Sequence, residues 1–160
     1  MSIHAPITQF KDEYFFLSNF YPHEAGQDGG PALTVEHYFQ AAKTKDYQEY
    51  ESVLHAPGPG DAKRLGRGVT LRTDWEAIKD SVMAFYVAKK FAESPELAAR
   101  LVATNGVPLV EGNTWGDKYW GVDLRTGEGL NHLGIILMSV RSTLVHIGRQ
   151  KQDADAEAVS

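Results

Sequence analysis

One short segment, EGNTWGDKYWGVD (residues 111–123), combines the residue types needed to hold a sugar or a nucleobase. A flat aromatic ring beside a carboxylate can stack on a base or sugar and polarise a bond to it. The alternative interpretation is a structural turn that buries two tryptophans. The candidate residues are Trp115, Trp120, Asp117 and Asp123, with Gly112, Gly116 and Gly121 letting the backbone approach a ligand.

A second candidate group lies in TVEHYFQAAK (residues 34–43), where Glu36, Gln40 and Lys43 are spaced i, i+4 and i+7. At roughly 100° per residue, this spacing puts the three side chains within about 60° of one another on a helix. They border the apolar face, where polar side chains can line a pocket beside the core. Glu36 also lies in the first turn, where a carboxylate complements the positive helix end. The alternative is that Glu36 serves only the helix dipole and that Lys43 is solvated.

A third candidate is the basic segment KRLGRG (residues 63–68), followed closely by Arg72. Its cations supply positive charge, and its glycines would let backbone N–H groups approach a phosphate. The chain as a whole has a net charge of −5, which argues against a general duplex-DNA binder. Any polyanionic ligand would therefore meet this local cluster, unless the segment is ordinary solvated surface.

Other chemistries lack their sequence signatures. The chain has no cysteine, which excludes disulfides, a thiolate nucleophile and cysteine-ligated zinc. The six histidines form no H-x-x-x-H or similar pair. Neither a G-x-S-x-G elbow nor a G-x-x-x-x-G-K-[ST] loop is present, although a Ser–His–Asp triad on another scaffold stays open. We expect no metal and no cofactor.

Predicted helices position most of these residues. The first helix, within residues 34–46, has Thr34 as its N-cap and buries Val35, Tyr38, Phe39 and Ala42. A short helical turn around 60–65 ends at Gly66. The next helix, within 73–94, begins with a capping box of Thr73 and Glu76 and buries Trp75, Ile78, Val82, Phe85 and Tyr86. A further helix lies within 94–106, with Ser94 as its cap, Pro95 at its first position and Asn105-Gly106 as its stop. The last helix lies within 131–148 and ends at Gly148.

Strand signals are few and short. Aromatic and β-branched residues in 7–20 predict one or two strands, and the short apolar VPLVEG (residues 107–112) predicts another. The acidic, alanine-rich stretch 149–160 is predicted to be a disordered tail. The fold class is therefore α+β, a predominantly helical single domain over residues 1–148 with a few short β-strands.

Composition indicates a soluble globular protein. Hydrophobic residues make up 42% and charged residues 23% of the 160 residues. No apolar run reaches the roughly 18–20 residues of a membrane helix, and the N-terminus has no secretory-signal pattern. We expect a cytoplasmic protein without a membrane partner, and its oligomeric state stays open.

Four motifs, taken together, resemble one family of proteins. The motifs are FLSNFYP (16–22), TVEHYFQAAK (34–43), LGRGVTLRTDWEAIKDSVM (65–83), and LVEGNTWGDKYWGVD followed by GLNHLGIILMSVR (109–141). They contain S-N-F, E-H-Y-F-Q-A-x-K, R-x-x-W-E and Y-W-G with N-x-L-G, which form a specific combination. Their order and spacing, from about residue 9 to 147, resemble those of the YbiA-like, or NADAR, family.

The resemblance implies a YbiA-like fold and N-glycosidase chemistry. The essential glutamate of the family corresponds to Glu36, its motif-closing lysine to Lys43, its tryptophan after the basic segment to Trp75, and its acidic residue before Y-W-G to Asp117. The expected catalytic residues are thus Glu36, Asp117 and Lys43. The expected substrate-binding residues are Ser18, Asn19, Phe20, Tyr38, Gln40, Gly66, Arg67, Trp75, Trp115, Trp120 and Asn131.

The family includes two substrate branches. Some members cleave phosphorylated ribosylamine intermediates of riboflavin synthesis, and others remove ADP-ribose from guanine in nucleic acid. The segment EGNTWGDKYWG differs in length and composition from the shorter acidic version of the riboflavin branch, which favours removal of ADP-ribose from guanine. The expected partner is therefore an ADP-ribosylated or ribosyl-phosphate small molecule, or a modified nucleic-acid base.

Two other hypotheses stay open at this point. A non-catalytic module that binds NAD or ADP-ribose would use the same tryptophans and basic segment. An antitoxin that reverses a base modification would still be an enzyme. For the catalytic hypothesis, Glu36 is the base or charge stabiliser and Asp117 its partner or substrate anchor. Lys43 either attacks the anomeric carbon or pairs with phosphate.

Overall fold

Helices make up most of the chain, which confirms the predicted α+β class with few strands. The structure is a computed structural model that describes residues 5–160, so the first four residues of the predicted domain lie outside the described range. The residues form two compact units. One is Phe15–Lys90, and the other is the described part of Met1–Tyr14 together with Phe91–Ser160. Among the described residues, none of the helices has the length and apolarity to cross a bilayer.

Three short helices form the centre of unit Phe15–Lys90: α1 (Val35–Ala41), α2 (Tyr47–Leu54) and α3 (Pro59–Gly66). Helix α1 packs against both α2 and α3. Each helix has a start signal, since Thr34 caps α1, Asp46 caps α2 and Pro59 opens α3. Small side chains let the helices approach closely around a core of Ala41, Val53, Ala56 and Ala62. Sequence patterns predicted α1 and α3, whereas α2 was missed.

Helix α4 (Trp75–Ala92) lies in the predicted place but buries a different face. Its first residue, Trp75, is buried as predicted, whereas Phe85 is 60% exposed. Glu76 accepts a hydrogen bond from Lys79 at 2.6 Å, so its carboxylate is used within the helix rather than in the predicted capping box. The buried apolar positions of α4 are Trp75, Met83, Val87 and Phe91, whereas the predicted Ile78, Val82 and Tyr86 are half-buried.

The other unit contains α5 (Pro95–Ala103), the strands β1 (Gly112–Asn113) and β2 (Val122–Asp123), and α6 (His132–Val159). The strands are parallel, with Gly112 opposite Val122 and Asn113 opposite Asp123. Ser94 caps α5 as predicted, by accepting a hydrogen bond from Leu97 N at 3.3 Å.

The strands predicted in residues 7–20 are largely absent from that stretch. Ile7 forms one isolated bridge with Leu109, and Asp12–Leu17 is a 3-10 helix. The aromatic side chains that suggested a strand serve the core, since Phe16 and Leu17 are almost fully buried. Burial of these side chains in the core thus overrode the strand preference of the residue types.

Helix α6 continues past its predicted end at Gly148. The stretch predicted to be disordered, 149–160, is helical up to Val159 and exposed. Its alanine, glutamate, glutamine and lysine residues favour helix, and it contains no proline to end one. The boundary at residue 148 stays a prediction.

Nearer the core, the buried Arg141 of α6 donates hydrogen bonds to Thr104 Oγ1 and to Val107 O, at 2.7 and 2.8 Å.

Candidate active site

Local bonds fix the first turn of α1, which carries Glu36. Thr34 Oγ1 accepts a hydrogen bond from His37 N at 3.2 Å, as an N-cap should. The fully buried His37 ring bridges Thr34 Oγ1 and Ala56 O, at 2.8 and 3.0 Å. Glu36 N donates to Asn19 O at 3.1 Å. The backbone that presents Glu36 is therefore held on both sides, and His37 has a structural role.

The carboxylate of Glu36 is buried and paired with Gln40. Glu36 is 7% exposed and Gln40 is 4% exposed. Gln40 Nε2 donates to Glu36 Oε1 at 2.7 Å, a bond that their i, i+4 spacing on one side of the helix allows. Gln40 Oε1 is buried and has no hydrogen-bond partner among residues 5–160. A buried carboxylate beside an amide oxygen without a partner is unusual for a purely structural pair, so Glu36 and Gln40 stay candidate site residues.

Gly66 makes room for this pair. A Cβ atom at Gly66 would overlap Gln40 Oε1 and would lie 2.8 Å from Gln40 Cβ. Only glycine therefore fits where the last turn of α3 meets α1. The role of Gly66 in the structure is to let the Gln40 side chain fit beside Glu36.

Lys43 lies just beyond α1, in the turn that closes the helix. Its backbone N donates to Gln40 O at 3.3 Å, and its Nζ lies 6.0 Å from the centre of the Phe39 ring. Burial lowers the pKa of the Lys43 ammonium, Glu36 partly offsets this, and the charges of Lys63 and Arg67 lower the pKa further. A lysine with a lowered pKa contains more neutral amine, which is the form that can act as a nucleophile.

Two substitutions should move the pKa of Lys43 in opposite directions. Glu36→Gln removes the negative charge that raises it, so we expect the Lys43 titration midpoint to fall. Lys63→Met removes a positive charge that lowers it, so the midpoint should rise. An NMR titration of ¹³C-labelled lysine side chains measures both shifts, with Lys45 as the internal control. Shifts of the same sign in both variants would contradict the charge arrangement.

The basic segment offers cationic side chains, whereas its backbone N–H groups do not form an anion-binding site. Lys63 and Arg64 lie in the last turn of α3. The N–H groups of Arg67 and Gly68 donate to carbonyls of α3, at 3.3 and 2.9 Å, so the predicted approach of backbone N–H groups to an anion is wrong here. Arg72 donates to Asp74 through Nε and Nη2, at 2.6 and 3.0 Å. Lys63 and Arg67 are the cations that act electrostatically on Lys43.

Hydrogen bonds from both the backbone and the side chains hold the S-N-F motif within the same unit. Ser18 Oγ accepts a hydrogen bond from Phe20 N at 3.1 Å, and Asn19 Nδ2 donates to Met83 Sδ at 3.3 Å. The buried Lys90 donates to Ser18 O at 2.9 Å and lies 5.4 Å from the Tyr21 ring centre. Sequence analysis missed Lys90, because a lysine in a helical pattern is normally solvated. Direct substrate binding by Ser18, Asn19 and Phe20 stays a prediction.

Two predicted substrate-binding aromatics have other neighbours. Tyr38 is roughly 160° from Glu36 around α1, on the other side of the helix. Its hydroxyl donates to Glu24 at 2.9 Å, its ring stacks on Tyr86, and burial raises its pKa. Trp75 is 5% exposed and its ring centre lies 5.0 Å from that of Phe39. This packing favours the interpretation of Trp75 as a core contact, and its binding role stays a prediction.

In the other unit, Asp117 organises the segment 111–123. Its Oδ1 accepts hydrogen bonds from the backbone N atoms of Tyr119 and Trp120, both at 3.0 Å. Its backbone N and O both bond to the buried side chain of Asn113, at 2.9 and 2.7 Å. Asp117 therefore fixes the turn that carries the Y-W-G motif, and a catalytic role for it stays a prediction.

The Y-W-G motif caps the N-terminus of α6. The carbonyls of Tyr119 and Trp120 accept hydrogen bonds from His132 N and Leu133 N, at 3.2 and 3.0 Å. These bonds satisfy helix N–H groups that lack intrahelical partners. The ring centres of Tyr119 and Trp120 lie 4.5 and 6.2 Å from that of His132. Spacing alone could not show that N-x-L-G and Y-W-G meet in this way.

Asn131 holds the neighbouring backbone with its amide. In the left-handed conformation (φ 54°), it accepts a hydrogen bond from Glu111 N at 3.0 Å and donates to Leu109 O at 2.9 Å. Asparagine is one of the few residues that adopt this conformation readily. Its amide therefore connects the start of α6 to the start of segment 111–123, and substrate binding by Asn131 stays a prediction.

The remaining residues of the segment divide into exposed and structural ones. Trp115 is 66% exposed, next to Gly116 at φ 84°. Asp123 is 3% exposed and bonds Arg125, whose guanidinium lowers the pKa of the carboxyl. Gly112 and Gly121 do not open the backbone to a ligand, because a Cβ atom there would overlap the protein's own carbonyls, Thr8 O and Glu111 O. Of the three glycines, Gly116 alone has a positive φ.

Within unit Phe15–Lys90, the structure thus brings together four predicted site residues: Glu36, Gln40, Lys43 and Gly66. The arrangement combines a buried, hydrogen-bonded carboxylate with an amine of lowered pKa and two further cations. A carboxylate of this kind can stabilise a developing positive charge or accept a proton from water. The amine can attack an electrophilic carbon, and the cations can bind phosphate.

Comparison with known proteins adds four findings. The family model of the NADAR domain matches residues 7–145. N-glycosidase YbiA of Escherichia coli (strain K12) is 41% identical over 135 residues, which cover 83% of each chain. A riboflavin biosynthesis protein of Vibrio vulnificus is 40% identical over 135 residues, 83% of this chain but 36% of that protein. The NMR structure of the E. coli protein YbiA superimposes with a TM-score of 0.74 at 35% identity, covering 92% of this chain and 91% of that one.

Proposed function

Since this chain belongs to the NADAR family and is a hydrolase of N-glycosyl bonds, we propose that its substrate is a ribosyl group that carries phosphate. The proposal rests on one observation, the buried Glu36–Gln40 pair beside Lys43. The positive charges of Lys63 and Arg67 contribute to lowering the pKa of Lys43. A carboxylate can stabilise the positive charge that develops at the sugar carbon, and the cations can bind phosphate. The naming of relatives as N-glycosidases argues against a non-catalytic binding module.

In the proposed reaction the bond between the sugar C1 and the base nitrogen breaks, and the base leaves with a proton. Positive charge develops on the ring oxygen and C1, as in other glycoside cleavages. The Glu36 carboxylate stabilises this charge or accepts a proton from the attacking water. Gln40 holds the carboxylate in place through its 2.7 Å hydrogen bond. Asp117 is kept as the proposed partner or substrate anchor.

Lys43 offers a covalent route to the same products. Its neutral amine would attack C1, displace the base and form an imine with the opened sugar, which water then hydrolyses. Borohydride would reduce that imine and fix the sugar to the enzyme. We expect a trapped adduct with wild-type protein, none with Lys43→Ala, and a normal adduct with the control Lys45→Ala, all read by mass spectrometry. No adduct with active wild-type enzyme would assign Lys43 to phosphate binding instead.

Removal of ADP-ribose from guanine is the first substrate candidate. ADP-ribose carries its pyrophosphate on the ribose that is attached to the base, so the Lys63 and Arg67 cations suit it. The exposed ring of Trp115 supports a substrate with a further aromatic group, because exposed tryptophans commonly stack on bases.

Hydrolysis of ribosylamine phosphates in riboflavin synthesis is the second candidate. The observation that favours it is the printed name of the Vibrio vulnificus relative, a riboflavin biosynthesis protein. The same cations would bind the single phosphate of such a substrate.

Comparison of turnover of the two substrate classes tests the proposal. An ADP-ribosylated guanine oligonucleotide and a riboflavin-pathway ribosylamine phosphate are incubated separately with the enzyme, and initial rates are read by mass spectrometry. We expect a higher kcat/KM for the oligonucleotide. A reversed order would favour the riboflavin branch, and turnover of unphosphorylated glycosides at equal kcat/KM would contradict a phosphate-bearing substrate.

A further inference from the structure

Glu49, on α2, connects two chain segments that carry cations of the site. Its carboxylate accepts a hydrogen bond from Thr44 Oγ1 at 2.6 Å. It also accepts from Thr70 N, at 3.1 and 2.9 Å to its two oxygens, and from Thr70 Oγ1 at 3.0 Å. One side chain thus binds the residue after Lys43 and a residue between Arg67 and Arg72.

Beyond Gly68, whose backbone N donates to Leu65 O in α3, the segment that Glu49 holds has few other supports. We call residues 67–72 the basic strap. Its Val69 packs against the core of α2 and α3, while Thr70 and Leu71 are exposed. Arg72 N donates to Lys43 O at 2.8 Å, so the strap and the Lys43 turn also touch directly. The hydrogen bonds to Glu49 and the Arg72–Lys43 bond together determine where the strap lies relative to Lys43.

The Glu49 side chain is itself prearranged for this role. Asp46 caps α2 by accepting from Glu49 N at 3.0 Å, and Asp46 N donates to Thr44 Oγ1 at 3.0 Å. Thr44 is 5% exposed, so the hydroxyl that Glu49 binds is fixed within the unit. The hydrogen bonds from Thr44 and Thr70 lower the pKa of Glu49, which keeps its carboxylate charged and able to accept all of them.

We propose that Glu49 is a positioning residue that sets the preference for phosphate by holding the basic strap against Lys43. The proposal rests on the proposed function, because it assumes that Lys63 and Arg67 bind the substrate phosphate beside Lys43. Displacement of a binding group by about 1 Å can cost large factors in affinity or rate. Loss of the Glu49 bonds should therefore weaken phosphate binding and leave the chemistry at Glu36 largely intact.

Ribose 5-phosphate is the probe, with its dissociation constant measured by NMR titration. We expect Glu49→Ala to weaken binding roughly tenfold, and the matched control Glu51→Ala, on the same helix, to bind as wild type. Glu49→Gln, which keeps an oxygen acceptor for Thr70 N, should recover most of the affinity. In turnover with the preferred substrate, Glu49→Ala should raise KM and change kcat by less than about twofold.

The possible outcomes separate this proposal from the proposed function. Unchanged binding of ribose 5-phosphate by Glu49→Ala would overturn the role of Glu49 alone. Wild-type protein that binds neither ribose 5-phosphate nor ADP-ribose would overturn the phosphate site and this proposal with it. If Glu49→Ala does not fold, Thr70→Ala removes one of the same bonds at an exposed position. It should weaken binding in the same direction, and unchanged affinity there would contradict the proposal.

Discussion

Replacement of Glu36 by glutamine should reduce kcat by roughly 10²–10⁴-fold, the usual contribution of a general base or charge-stabilising carboxylate. Glutamine has the same shape and keeps an oxygen that can accept the 2.7 Å hydrogen bond from Gln40. The fold and the ligand contacts should therefore survive, while the negative charge that faces the developing oxocarbenium ion is lost. Single-turnover kinetics with the ADP-ribosylated guanine oligonucleotide measures the effect on the chemical step.

The expected loss is specific to the chemical step. Affinity for ADP-ribose, measured by calorimetry, should stay within about threefold of wild type, because uniform binding does not depend on transition-state charge. Glu51→Gln, at a carboxylate on α2 that lies 3.5 Å from His55, serves as the control and should keep full activity. A Glu36→Gln enzyme within tenfold of wild-type kcat would remove Glu36 from the catalytic role.

Replacement of Gly66 by alanine should both destabilise the protein and impair catalysis. The new Cβ would overlap Gln40 Oε1 and lie 2.8 Å from Gln40 Cβ, so the buried Gln40 side chain has to move. Overpacking of this kind typically costs about 1–3 kcal/mol in the free energy of unfolding. Movement of Gln40 also breaks its bond to Glu36, so kcat should fall. Urea unfolding and steady-state kinetics check the two effects.

Gly60→Ala provides the matched control, since Gly60 lies in the same helix α3 and a Cβ atom there has nothing within 4 Å. Alanine favours helix over glycine, so this variant should be as stable as wild type or slightly more stable. In a Gln40→Ala background the Gly66→Ala substitution should cost less, because the overlap with Oε1 is gone while the 2.8 Å approach to Cβ remains. Equal stability of Gly66→Ala and Gly60→Ala would contradict the packing described for Gln40.

Local patterns predicted the parts of the fold that local interactions determine. Thr34 and Ser94 were expected to be N-caps and are, because capping involves residues two to three positions apart. The i, i+4 spacing of Glu36 and Gln40 likewise put both side chains on one side of the helix, where the structure shows them hydrogen-bonded to each other. The identity of the family followed from the order of the four motifs.

Contacts between distant residues could not be predicted in this way. No periodicity shows that Gly66 packs against Gln40 or that Glu49 binds Thr70, which is 21 residues away. Helix α2 was missed for a related reason, since Val53 is its one fully buried residue and the apolar pattern is weak. Tyr38 fits the motif but faces Glu24 and Tyr86, which only the three-dimensional arrangement reveals.

Segment 111–123 shows how a functional signal and a structural one can coincide. Its mixture of tryptophan, carboxylate and glycine suggested a ligand site. In the structure, Asp117 fixes its turn and the carbonyls of Tyr119 and Trp120 cap α6. Both roles require the same residue types, because a carboxylate that binds backbone N–H groups and an aromatic that packs on a turn are also structural devices. Trp115 is the residue in this segment whose exposure most favours a ligand contact.

The most direct test is the mass of an ADP-ribosylated guanine oligonucleotide after incubation with wild-type enzyme. Cleavage of the N-glycosyl bond should return the oligonucleotide to its unmodified mass and release ADP-ribose, and Glu36→Gln should leave the modified mass unchanged over the same time. An oligonucleotide that keeps a ribosyl-phosphate remnant would show cleavage at the pyrophosphate instead. That result, or a modified mass that persists with wild-type enzyme while the ribosylamine phosphate is also left intact, would contradict an N-glycosidase centred on Glu36.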